Sequence, residues 1–285
     1  MTDYDESFVA LEIDDVPIDG HCVGDRWTVK NIDQLAKLVA IIAMGQATYA
    51  ALIIRELSPA SPAFTNADLK SEAIIKLTVQ EVKQTPRTGY PRYQRDGLIF
   101  EVISWIAARQ RFGVSAYLKD PHISSTSQGL DGLMIEMVPG QNEISLTTIF
   151  EDKCTDNPRD TFSQEVISAF LDRHKNKRSA ELIASAASLI KLSGIDDLSA
   201  IRAANRVLDI KFRRYRASLA VTTVFDTEDQ RRKLFKGYDK LTEIESFQRV
   251  GASFVVGGNL RDWFDELAGR AIAFLETFEE ESINV

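Results

Sequence analysis

The feature that most limits how this chain folds is a change of hydrophobic period at residues 130–154. LDGLMIEMV (130–138) and ISLTTIFEDKC (144–154) are rich in β-forming residues and are separated by the turn-forming PGQNE, so they read as two strands of a hairpin. The sequence before them, from residue 31, reads helical. The sequence after them alternates helices with single strands, a mixture that requires a sheet with helices packed against it.

Residues 1–30 alternate short apolar runs with acidic and Gly/Pro turn formers, which predicts strands or an extended arm. From Asn31, an expected N-cap, a helix runs to SPASPA at 58–63, where two prolines break it and mark the best linker. The expected division is therefore 1–63, N-terminal strands or arm and a helix, and 64–285, an α/β domain, with a single continuous domain as the alternative. Within the second part, helices are expected at 66–84, 96–112, 160–174, 178–192, 197–208, 228–241 and from Asn259 into the acidic tail FEEES. Strands are expected in RYRASLAVTTVF and ASFVV. The fold class is α/β (α+β), with a small mixed central sheet flanked by helices and a helical N-terminal part.

Side chains alternate faces along a strand, so in FEDKC Glu151 and Lys153 share a face and Asp152 takes the other. Asp131 opens the neighbouring strand, and antiparallel pairing brings it toward Glu151 and Lys153. Two carboxylates suit a hard divalent cation such as Mg²⁺ (or Mn²⁺), and a lysine beside them suits an attacking water at a phosphodiester. Glu136 differs from Asp131 in strand parity. Asp131 is preferred because Gly129 and Gly132 flank it and permit close approach of backbone or ligand. Glu101 lies in GLIFEVISWIA, an apolar helix in which a carboxylate needs a partner or a cation. The plain alternatives are a surface Glu151–Lys153 pair and a solvated Glu101.

Glu101 on a helix, GLDG around Asp131 and EDK at 151–153 on a strand followed by a helix resemble the core of the PD-(D/E)xK nuclease superfamily, over about residues 96–225. Within it, the IFEDK strand, YRASLAVTTVFD and RVGASFVVGGNLRDWF are similar to HamA-type proteins, the nuclease subunits of Hachiman antiphage systems. The resemblance implies a restriction-endonuclease-like core, which makes 64–285 a nuclease-like α/β domain, with Asp131 and Glu151 as metal ligands, Lys153 serving the attacking water and Glu101 as an auxiliary ligand. It also implies DNA as substrate and a helicase/ATPase partner that restrains the nuclease. The sequence departs from the family pattern in having Leu130, not Pro, before the aspartate.

A net charge of -8 excludes a surface that is basic throughout, so a nucleic-acid path has to be local. Arg202, Arg206, Lys211, Arg213, Arg214 and Arg216, with Phe212 and Tyr215 between them, are the expected phosphate and base contacts. RHKNKR (173–178), RRK (231–233), Arg87 and Arg92 are secondary candidates. His21, His122 and His174 stand apart from one another and from any spaced acid, so no role is assigned to them, and Cys154 is read as packing. Cys22 and Cys154 form no zinc spacing, the N-terminus has no signal-peptide order, and residues 38–54 are interrupted by Gln46, so a cytoplasmic protein without a membrane span is expected. The absence of GxxxxGK[ST] leaves no phosphate loop for nucleoside triphosphates.

The leading reading is a Mg-dependent deoxyribonuclease. The alternatives are a non-catalytic DNA- or partner-binding module and a small-molecule enzyme using Asp131 and Glu151 as an acid/base pair. The last is disfavoured because Lys153 is expected to depress the pKa of Glu151.

Overall fold

The computed structural model describes residues 8–124 and 129–278. The chain opens with a hairpin of β1 (Leu11–Asp19) and β2 (Cys22–Val29). Its tight turn is held by Asp19, whose Oδ1 accepts from the backbone N–H of His21 at 2.8 Å and of Cys22 at 3.1 Å. Asn31 then caps α1 (Ile32–Ala43), its side chain accepting from Gln34 N at 2.9 Å.

The long helix expected over 31–57 is two helices, because Gly45 at φ +82° turns the chain before α2 (Ala47–Glu56). Gln46 at that corner is buried, and its amide bridges Phe64 O and Ala63 N, each at 2.8 Å. Among the described residues no helix is long and apolar enough to cross a membrane.

α3 (Ala67–Leu77) starts at the expected cap Asn66 but ends seven residues before the expected 84, where Val79 pairs with Tyr90 in an isolated bridge. α4 (Arg92–Phe112) begins a turn early, directly after Pro91. It is followed by the short edge strand β3 (Ala116–Leu118), which the sequence reading lacked. Then come the hairpin β4 (Gly132–Met137) and β5 (Ile144–Cys154).

A continuous helical stretch follows: α5 (Pro158–Thr161), a π-helical turn over Phe162–Val166, and α6 (Ile167–His174). The remaining elements are α7 (Ser179–Lys191), α8 (Asp197–Ala204), β6 (Arg213–Thr222), α9 (Glu228–Leu234), β7 (Arg249–Val256) and α10 (Leu260–Glu276). The helix expected over 228–241 stops at Leu234, ahead of Gly237 at φ +99°. Most of the acidic tail expected to follow α10 lies outside the described residues.

The sheet is larger than the small one expected. Its seven strands lie in the order β1-β2-β7-β6-β5-β4-β3. β2, β7, β6 and β5 are parallel neighbours, and antiparallel hairpins close both edges. Leu11–Asp19 and Cys22–Val29 therefore add strands to the same sheet as the rest of the chain.

Strand alternation gives the sheet two apolar faces. Met134, Phe150, Ala220 and Phe254 pack with α1, α4 and α10. Leu133, Ile149, Leu219 and Val255 pack with the α5–α8 side, around Phe162, Phe170 and Leu182. The architecture is α/β, with helices on both faces of a mixed sheet.

Candidate active site

β5 is parallel to β6, and FEDKC forms its C-terminal end, the end at which open α/β sheets place their ligand sites. β4 pairs with β5 so that Gly132 lies opposite Phe150, and one step further the same register sets Asp131 against Glu151. A Cβ on Gly132 would stand 2.3 Å from the Phe150 ring, so glycine is what lets the two strands close there. Gly129, at φ +141°, turns the chain into Asp131.

The three side chains meet. Lys153 Nζ donates to Asp131 Oδ2 at 3.4 Å and to Glu151 Oε2 at 3.5 Å, and Asp152 N donates to Asp131 Oδ2 at 3.0 Å. Lys153, Asp131 and Glu151 keep 28%, 23% and 19% of their side-chain surface, so the cluster is half-buried but open to a ligand. Burial, with the Asp131 charge adding to it and Lys153 opposing, pushes the Glu151 carboxyl up to about 7. This reverses the expected direction, because burial and the second carboxylate outweigh the lysine. Burial also works against the Lys153 ammonium, but the charges of Asp131 and Glu151 prevail and hold it protonated above its usual range.

Asp152 points away from this cluster, as strand parity requires. It is buried beside Arg216, with 4.0 Å between Oδ1 and the guanidinium, and burial raises it to about 7 against the pull of that arginine. The Arg216 guanidinium lies over the Phe150 ring at 3.5 Å and donates to Ser104 O at 3.3 Å.

Glu101 is neither solvated nor free. Its Oε1 accepts from His122 N at 2.7 Å, and its Oε2 lies 3.0 Å from His122 Nδ1. Lys119 Nζ approaches His122 Nε2 at 3.2 Å and donates to Leu130 O at 2.6 Å, so the tautomer that satisfies both neighbours carries its proton on Nδ1. Burial lowers Lys119, while Glu101, Asp131 and Glu181 support its charge. His122 and Lys119 were not anticipated. The partner of His122 is 21 residues away in sequence, and only the chain's return through β3 brings the two together.

Both Glu101 oxygens are engaged by His122, and the hydrogen bonds that join Asp131, Glu151 and Lys153 do not include Glu101. Among the described residues no group of three or more His, Cys, Asp or Glu side chains is arranged to hold a metal ion. The two carboxylates that do meet fit a cation: they share one ammonium, and burial together with the Asp131 charge raises Glu151. Such a pair suits Mg²⁺ or Mn²⁺ retaining several waters.

The basic segment needs correction. Arg213 is fully buried, donating to Val207 O and to Arg173 O at 2.5 and 2.7 Å, and Arg216 is buried as described above. Neither is displayed on the surface where a nucleic-acid backbone would pass. Arg214 is half-buried and paired with Glu136 at 3.5 Å. Arg202 and Lys211 are exposed, and Arg206 covers Phe212 and pairs with Glu143 in the β4–β5 turn. That turn is at the opposite end of β5 from Glu151, so these three do not border the carboxylates.

Of the secondary candidates, Arg92 pairs with Asp265, Arg87 lies over Tyr90, Arg178 pairs with Glu181, and Arg231 is buried against Asp226. Cys154 packs with the apolar core and receives Arg261 Nη1 at 3.6 Å. The chain matches no protein-family model and no curated protein.

Proposed function

We propose that the chain is a metal-dependent nuclease with a restriction-endonuclease-like core, hydrolysing phosphodiester bonds in DNA. The observation that carries this reading is the meeting of Asp131, Glu151 and Lys153 at the C-terminal end of β5. Asp131 and Glu151 would hold Mg²⁺ or Mn²⁺, which when bound supplies polarisation of the phosphate and acidification of a water. Asp131 is oriented for this by Asp152 N. Lys153, held charged by its two neighbours, positions the attacking water and offsets the charge that develops on the phosphate. The resemblance stated above extends the proposal to an antiphage effector released by a helicase partner.

The test is plasmid cleavage with Mg²⁺ or with EDTA, by the chain alone and with a co-encoded helicase. Cleavage requires the metal and falls by at least about a hundredfold in Glu151→Ala and in Lys153→Ala. Undiminished cleavage in both variants removes the site assignment, and no cleavage under any condition favours a binding module. The raised Glu151 favours one other reading, an acid/base pair with Asp131, which predicts hydrolysis that survives EDTA.

A further inference from the structure

A cavity of about 730 Å³ lies between the β1–β2 hairpin, the C-terminal end of α4 and the face of the sheet that carries Phe150, Arg214 and Arg216. Its volume is that of a site for a small organic molecule. Part of the wall is apolar: Phe112 and Phe150 line it, and Val23 and Phe247 stand 42% and 48% exposed beside them. The floor is polar. Arg216 (4% exposed) and Thr148 (2%) both line the cavity, and among the described residues Arg216 Nε and Thr148 Oγ1 have no hydrogen-bond partner.

Arg214 lines the cavity too; its Nη1 pairs with Glu136 at 3.5 Å, while among the described residues its Nε lacks a partner. Buried donors of this kind are costly unless a ligand satisfies them. Carboxylates line the cavity as well, Asp15, Asp19, Asp25 and Glu228 beside Arg111, Arg214, Arg216 and Arg232, and the guanidinium groups of Arg111, Arg214 and Arg216 act on the buried Asp25, which Arg111 bonds at 3.1 Å.

We infer that this cavity is a binding site for a small amphipathic anion, whose apolar body packs against Phe112, Phe150 and Phe247 and whose carboxylate or phosphate head meets Arg214, Arg216 and Thr148. The inference stands apart from the nuclease reading, because neither Asp131, Glu151 nor Lys153 lines the cavity.

The probe is 8-anilinonaphthalene-1-sulfonate, an aromatic body with an anionic head, titrated into the full chain and followed by its fluorescence. One saturable site is expected, and N-phenyl-1-naphthylamine, the same ring system without the sulfonate, binds at least about tenfold more weakly. Arg214→Gln weakens the sulfonate about tenfold or more, and Val23→Trp, which fills the cavity from its rim, abolishes binding. Thermal melts check that each variant is folded, and if Arg214→Gln is not, Val23→Trp decides alone. Displacement by octanoate or by phenyl phosphate supports the site and identifies the head group. Unchanged affinity in the folded variants, equal affinity for the neutral analogue, or displacement by neither anion overturns the inference.

Discussion

Glu151 carries the most information of any single residue, because its environment turns a structural statement into a pH dependence. An exposed glutamate releases its proton near 4.5, whereas burial and Asp131 hold this one to about 7. Between those values the unfolded chain has lost a proton that the folded chain keeps. Stability contributed by Glu151 is thus greatest below pH 4.5 and falls as pH rises to about 7. In EDTA the loss is on the order of 1–3 kcal/mol, and Glu151→Gln removes it; urea unfolding of both proteins across pH 4.5–8 measures the difference. Mg²⁺ at pH 8 raises the melting temperature of the wild type but not of Glu151→Gln, and equal shifts would detach the cation from this pair. The side-by-side placement of Glu151 and Lys153 was legible in the sequence because alternation is local. The direction of the pKa shift was not, because burial depends on helices far away in the chain.

At the scale of elements, the β4–β5 hairpin was legible because period and turn agreed, and Asn31, Asn66 and Asn259 mark helix starts through chemistry that acts within three residues. The three-residue β3 was not legible, since a segment that short has no period. The basic stretch 202–216 misled for a related reason: charge alone does not distinguish Arg202 on an exposed helix face from Arg213 inside the fold, where backbone carbonyls satisfy it. The hairpin's close approach is testable through Gly132. In Gly132→Ala the new Cβ meets the Phe150 ring at 2.3 Å, so the ring or β4 has to move, at a cost of about 1–3 kcal/mol. Chemical denaturation reads that cost. Because the ring carries Arg216 on its face, loss of cleavage in a variant that unfolds normally would indicate that strand spacing also sets the Asp131–Glu151 distance.

At the scale of the molecule, the sheet joins the two ends of the sequence. β2 (Cys22–Val29) pairs with β7 (Arg249–Val256), and every residue of β7 is buried. A division at 58–63 looked natural because prolines mark breaks in local structure, yet pairing between strands more than two hundred residues apart leaves no local mark. Deleting residues 1–30 removes β1 and β2 and turns β7 from an interior strand into an edge whose backbone and apolar side chains face water. Such an edge is a template for pairing with another chain. It also uncovers Arg216, which Trp27 of β2 overlies with 5.1 Å between guanidinium and ring, and so disturbs the strand pair that carries Asp152. The truncated chain is therefore expected to aggregate when expressed, and size-exclusion chromatography beside the full chain detects it. A monomeric truncation that melts with the full chain's cooperativity would mean that the hairpin only covers an independently stable core.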